Sequence, residues 1–166
     1  MKLSDGVEQA IHSMAMLACL DEGSTLSAAA LAEYHGVSPS YLLKHMQALS
    51  AAGLVDTVPG PKGGYRLARS TDSINLLNIV LAVEGSQPAF RCHEIRQRGP
   101  NPLPARYFEK PCGIAAVMLA AERVYRAELA KTSLADLMQD LKETDDGGIA
   151  ARGCAFLDIH ERKQTR

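Results

Sequence analysis

Residues 27–69 read SAAALAEYHGVSPSYLLKHMQALSAAGLVDTVPGPKGGYRLAR, and this stretch decides the fold. Ser27 is placed to cap a helix over residues 28–34, because its hydroxyl can accept from a first-turn N–H with no partner inside the helix, and Gly36 supplies a left-handed stop. Ser38 caps a second helix with Pro39 at its first position, where a missing N–H costs nothing, and Gly53 ends it after Ala52. Leu42, Met46 and Leu49, spaced three and four apart, form its inward side and leave Ser40, Lys44 and Gln47 opposite, with Tyr41 at the edge. Residues 54–58 and 65–67 are short strands around a glycine-rich tip, Pro59-Gly60-Pro61-Lys62-Gly63-Gly64. Two capped helices followed by a hairpin make a winged helix-turn-helix.

In that architecture the second helix and the wing are the parts that meet a duplex. Ser38, Ser40, Tyr41 and Lys44 are the candidate DNA contacts on the helix, and Gly60, Lys62, Gly63 and Gly64 those on the wing, where glycine backbone can approach phosphates closely. Lys44 and Lys62 suit phosphates better than bases, since an ammonium is a point charge without a fixed fork. Between Pro39 and Arg69 the charges are Lys44, Lys62, Arg66 and Arg69 against Asp56, so positive charge is concentrated here although the whole chain carries a net charge of −1. A solvated hairpin and a protein-binding winged helix are the competing readings, and the local basic excess favours DNA.

The chain has 166 residues, of which 46% are hydrophobic, enough for one sizeable core with an added helical arm. No apolar run approaches the roughly 18 residues of a membrane span, and Met1-Lys2 opens no secretory pattern, so a cytoplasmic protein is expected. The sequence contains no glycine-rich nucleotide loop after a strand, no Gly-x-Ser-x-Gly elbow and no His-Glu-x-x-His, and an enzyme is not expected.

Outside the winged stretch, residues 3–20 form a first helix with Val7, Ala10, Ile11, Met14, Leu17 and Ala18 on one face. Glu8 and His12 lie one turn apart on a shared face and, taken alone, read as an ordinary surface ion pair. Cys19, between Ala18 and Leu20, reads as a small buried hydrophobe. After a turn at 70–72, Leu76, Leu77, Ile79, Val80 and Val83 mark a helix that stops near Gly85. Residues 86–111 lose all periodicity and collect five prolines, which describes a long irregular loop with Cys92 near its start and Cys112 just past its end. A long helix over 113–131 follows, with Ile114, Val117, Met118, Ala121, Val124, Tyr125 and Glu128 in one stripe. A second copy of the same helix is the most economical cover for that stripe, so a homodimer is expected. Ser133 caps a short helix over 134–141, and the tail beyond it, with Cys154, has no assigned place. The expected organisation is thus a winged domain over 1–85, a cysteine-bearing sensor loop over 86–112, a dimerisation helix with its short successor over 113–142, and a tail over 143–166.

Four cysteines in a reducing compartment are ligands, redox sensors or fillers rather than a disulfide framework. Cys92 and Cys112 are a ligand pair for a soft metal centre, a thiol-disulfide switch or two unrelated residues; their spacing matches no zinc ribbon, and His93 is an adjacent donor.

Six segments in this order, MKLSDGVEQAIH, VSPSYLLKHMQALSAAGLV, PGPKGGYRLAR, FRCHEIRQRGP, PCGIA and TSLADL, resemble the Rrf-type family of bacterial winged-helix regulators that includes IscR, NsrR and RsrR. The resemblance spans roughly residues 1–141 and implies a homodimer on double-stranded operator DNA, in many members governed by an iron-sulfur cluster, with repression the expected direction. The common three-cysteine loop is absent, since no cysteine lies between Cys92 and Cys112. The chain is more similar to the redox-responsive RsrR branch, in which a 2Fe-2S cluster between subunits is held by Glu and His of one first helix and two loop cysteines of the other chain. The matching positions are Glu8, His12, Cys92 and Cys112, while Gln9 stands where that branch is expected to carry an aromatic. The resemblance thus implies sensing of redox state or nitric oxide; a cluster-free regulator using Cys92/Cys112 thiol chemistry or a small-molecule effector is the alternative.

Overall fold

A computed structural model describes residues 3–163; Met1 and Lys2 of the first matching segment, and the charged end at 164–166, lie outside the described residues. The elements are α1 (Asp5–Leu17), β1 (Ser24–Thr25), α2 (Ala28–His35), α3 (Pro39–Ala51), β2 (Val55–Val58), β3 (Gly64–Leu67), α4 (Leu76–Glu84), α5 (Gly113–Leu129), α6 (Leu134–Thr144), α7 (Gly148–His160) and β4 (Arg162–Lys163). The fold is mainly α with a small antiparallel wing, β2 against β3 in the register Val55 opposite Leu67 and Val58 opposite Gly64. The segment before α2 adds a third rung to the wing, because Leu26 and Tyr65 exchange both backbone hydrogen bonds, at 3.0 and 2.8 Å.

Local chemistry sets the boundaries. Ser27 Oγ accepts from Ala30 N, and Gly36 closes α2 in the left-handed region at φ 65°. Ser38 occupies the N-cap of α3 with Pro39 behind it, but its hydroxyl makes no capping bond and meets Ser40 Oγ at 3.1 Å instead. Asn75 with Asn78 and Ser133 with Asp136 form reciprocal capping boxes on α4 and α6. A two-residue bridge ties these starts together, Leu76 N donating to Thr132 O and Leu134 N to Ile74 O.

The core lies where α1, α2, α3 and α4 meet, with Met14, Leu31, Leu42, Met46, Leu49, Ile74 and Ile79 fully buried, and it extends to Leu134 of α6 and Leu157 of α7. The tail with no assigned place in the sequence is therefore a packed helix. Tyr34 sits edge-on to Phe156 at 5.0 Å, beneath the Arg152 guanidinium at 4.5 Å, and β4 pairs with β1. Two expectations for the first helix are corrected. It ends at Leu17 rather than 20, which leaves Cys19 in the following turn and exposed rather than buried.

Residues 86–111 are irregular as expected, apart from short 3-10 turns at Ile95–Gln97 and Ala105–Phe108. The start of this loop is fastened to α5. Glu122, buried, accepts from Ala89 N at 3.0 Å and from Arg126 at 2.6 Å, while Arg126 also donates to the carbonyls of Ser86 and Gln87. The opposite side of α5 is bare, with Ile114, Val117 and Val124 each about 70% exposed.

Candidate functional site

The exposed side of α3 carries Ser40, Lys44 and Gln47, while Leu42, Met46 and Leu49 anchor it in the core. Tyr41 stands at the edge, its ring perpendicular to that of His45 at 4.5 Å. His45 is buried against α1, at the one place where α1 offers no side chain: a Cβ on Gly6 would come within 2.3 Å of the imidazole. Burial lowers the His45 pKa, with Glu84 opposing and Lys44 assisting, and its Nε2 finds no hydrogen-bond partner among the described residues. Close packing of Gly6 on His45 thus joins α1 to α3.

The wing is braced from behind at three consecutive carbonyls. Thr25 Oγ1 donates to Lys62 O at 3.1 Å, and Arg162 Nη1 donates to Gly63 O at 2.8 Å and Pro61 O at 3.4 Å. Gly63 is buried, its N–H donates to Gly60 O, and a Cβ there would lie 2.1 Å from Val58 O; at Gly64 it would lie 2.6 Å from Leu26 O. These two glycines answer to packing inside the hairpin. Gly60, at φ 105°, and Lys62 remain on the outer side, exposed. Two of the four local cations have structural duties. Arg66 pairs with Asp56 at 3.4 Å, and Arg69 donates to Gly53 O and Ala52 O, placing positive charge at the C-terminal end of α3.

The loop returns Cys112 to the side of Cys92. Cys112 is the N-cap residue of α5, and its thiol pKa is lowered foremost by the nearby backbone N–H groups of Ala115 and Ile114 at the helix start, although its side chain makes no capping hydrogen bond, with further help from the Cys92 thiol and the Arg96 charge. Arg96 is itself oriented by a bidentate pair with Glu94 and lies 5.1 Å above the Phe108 ring. Glu94, two residues after Cys92, holds a left-handed backbone at φ 46°, a conformation that costs a non-glycine residue and turns the chain sharply there.

Glu8 and His12 are exposed on successive turns of α1 and border one shallow depression. His12 also borders a second, deeper cavity, where its ring approaches that of His35 at 5.7 Å.

A family profile described as "Rrf2: Iron-dependent Transcriptional regulator" matches residues 3–140. The chain belongs to the Rrf2 family. It is 33% identical to the HTH-type regulator YffB of Lactococcus lactis over 84% of this chain and 88% of that one, and 31% identical to YwgB of Bacillus subtilis over 88% and 94%. IscR of Vibrio atlanticus is 37% identical over 56% of this chain and 54% of its own length. Among solved structures, T. potens IscR shares the fold with a TM-score of 0.63 at 22% identity, covering 91% of this chain and 96% of that one. CymR, titled the global cysteine regulator of B. subtilis, gives 0.59 at 25% identity over 87% and 99%. Rrf2 proteins are DNA-binding transcriptional regulators, which places this chain among regulators and not enzymes.

In this Rrf2 protein, then, Cys92 lies beside Cys112, and Glu8 borders the same depression as His12 without forming the ion pair expected from their spacing, but the two pairs do not combine. Among the described residues no three His, Cys, Asp or Glu side chains gather in a metal-holding group within one chain. Sequence reasoning missed Gly6, His45 and Arg162. A glycine in the first turn of an apolar helix signals close approach, but what approaches is a residue 39 positions away, and nothing local ties Arg162 to a wing 99 residues earlier.

Proposed function

We propose that this protein is a homodimeric regulator that reads double-stranded operator DNA with α3 and the wing. In this reading it senses redox state or nitric oxide through a 2Fe-2S cluster shared between subunits. The observation that carries the reading is the division of donors into two incomplete halves. Cys92 and Cys112 present two thiols side by side, one biased toward thiolate, and Glu8 and His12 present a carboxylate and an imidazole on a separate exposed face. Two thiolates, one imidazole and one carboxylate fit a soft iron centre with one harder, exchangeable position. Such a cluster, when bound, supplies a one-electron change of charge at its ligands.

The chain's own residues do the rest. The N–H groups at the start of α5 bias the Cys112 thiol toward its ligating form, Arg126 and Glu122 fix the root of the loop, and Gly6 and His45 join the helix of Glu8 and His12 to the reading side of α3. On the DNA side, Ser40, Tyr41 and Lys44 face the groove and its phosphates, Lys62 and Gly60 meet the backbone, and Ser38, Gly63 and Gly64 shape those contacts from behind.

A mixed dimer tests the arrangement. One chain carries Glu8→Ala with His12→Ala, the other Cys92→Ser with Cys112→Ser; a bridging site leaves one intact centre per heterodimer. Anaerobic purification should then give iron, sulfide and visible absorption at half the wild-type content, with none in either parental homodimer. Colourless, iron-free heterodimer from a co-expression whose wild-type control is loaded would defeat the bridging reading. The contact between the Cys92 and Cys112 thiols favours one further reading, a cluster-free switch in which both thiols give up their protons and two electrons to a peroxide to form a disulfide. Iron-free wild-type protein that changes operator affinity with peroxide would support it.

A further inference from the structure

The deeper cavity beside His12 has a volume of about 310 Å³ and lies between the ends of α1 and α2 on one side and α6 and α7 on the other. Its walls are mainly apolar, with Met16, Met138, Leu141 and Ile149 among them. The charged groups that border it are of both signs. Asp145 is the acidic wall residue, and its carboxylate is already occupied by the N–H groups of Ile149 and Ala150 at the start of α7. His35, by contrast, has an Nε2 without a hydrogen-bond partner among the described residues. Partial desolvation at the cavity, foremost, and Cys154 push up the thiol pKa of Cys19, another wall residue and one at the surface, and the Lys142 ammonium sits close enough to pull it down against them.

An apolar chamber of this size, at the small end of ligand pockets, with Lys142 as its cationic wall residue and the Asp145 carboxylate engaged by backbone, has a definite complement. We propose that this cavity binds a small monocarboxylic acid with an aromatic or bulky aliphatic body, its carboxylate held by Lys142 at the rim and its body packed against the apolar wall and the His35 ring. Binding there touches the helix-turn-helix itself, because Tyr34 and His35 form the last turn of α2, immediately before Gly36 and the entry to α3. The inference uses neither the loop cysteines nor Glu8, but the cavity shares the wall residue His12 with the proposed cluster site, so binding is tested on iron-free protein.

The probe is 2-naphthoate, whose fluorescence is easily read in a chain with no tryptophan. Full-length protein should bind it saturably at one site per protomer, and the neutral isostere 2-naphthylmethanol should bind about tenfold more weakly for want of the charge-assisted contact. Lys142→Met, at an exposed position, should reduce naphthoate affinity to a similar degree. Gly153→Leu should fill the chamber and abolish binding: Gly153 lines the wall, and the nearest atom to a Cβ there is Tyr34 Oη at 3.8 Å, so the backbone accepts a side chain. Absence of saturable binding to the wild type, equal affinity for the alcohol, or unchanged binding in folded Gly153→Leu would each overturn the assignment.

Discussion

Ser4 shows how a single side chain can do work that its position in the sequence does not announce. It stands where an N-cap residue belongs, yet its hydroxyl leaves the α1 backbone and, with its own N–H, donates to Glu84 Oε1 at the far end of α4. These two bonds, foremost the hydroxyl's, hold the Glu84 carboxyl below its ordinary pKa, with burial opposing and His45 assisting. A carboxyl whose folded pKa is depressed stabilises the fold above its unfolded value of about 4.3 and loses that contribution as pH falls through the folded value. Ser4→Ala should therefore cost about 0.5–1 kcal/mol at pH 7, a modest figure because the site is exposed. Urea titrations should show the gap between variant and wild type closing by pH 3. A gap of the same size at pH 3 would mean that the bond does not depend on the ionised carboxylate. The same scale gives Gly63 and Gly64 a packing duty that the tip sequence does not announce: a glycine there looks alike whether it faces only DNA or, as Gly63 does, also packs on Val58 O.

The elements that sequence resolves well are those whose signals are local. Ser27, Gly36, Pro39 and Gly53 bound α2 and α3 within a residue or two, and Leu42, Met46 and Leu49 point inward as their spacing requires. Helix α7 was illegible for the opposite reason. Residues 148–160 alternate small, polar and apolar side chains without a clean stripe, and one of them, Leu157, is buried. What seats the helix is long-range: Phe156 and Arg152 on Tyr34, Glu161 Oε1 accepting from Asp21 N, and Arg162 reaching the wing. The chain's last described strand is thereby a brace for the proposed DNA contact at Lys62. Arg162→Ala should leave helix content unchanged, speed amide exchange at the wing, and weaken operator binding about three- to tenfold, the loss expected when a contact loop must be ordered on binding. Unaltered exchange and affinity would show that Thr25 suffices to hold the wing.

At the scale of the whole molecule the decisive feature is the uncovered stripe of α5. Its inner side, Glu122 and Arg126, is committed to the loop root, and among the described residues nothing of the chain covers Ile114, Val117 and Val124. A like stripe from a second protomer would cover it, and the same pairing would carry the Cys92–Cys112 half of one chain toward the Glu8–His12 half of another. In the proposed homodimer, operator half-sites one duplex turn apart, about 34 Å, would make affinity depend on that pairing, because linking two weak reading heads raises overall affinity by orders of magnitude. Val117→Glu places a charge in the middle of the stripe while touching no core residue. It should yield a folded monomer by light scattering, with operator affinity reduced at least about a hundredfold. The slope of log affinity against log salt should fall to about half, since each head alone displaces half the counterions. Such a variant should also lack the visible absorption of the proposed cluster, as it separates the two donor halves. A Val117→Glu protein that stays dimeric with its full salt slope would move the subunit boundary elsewhere, and the shared centre with it.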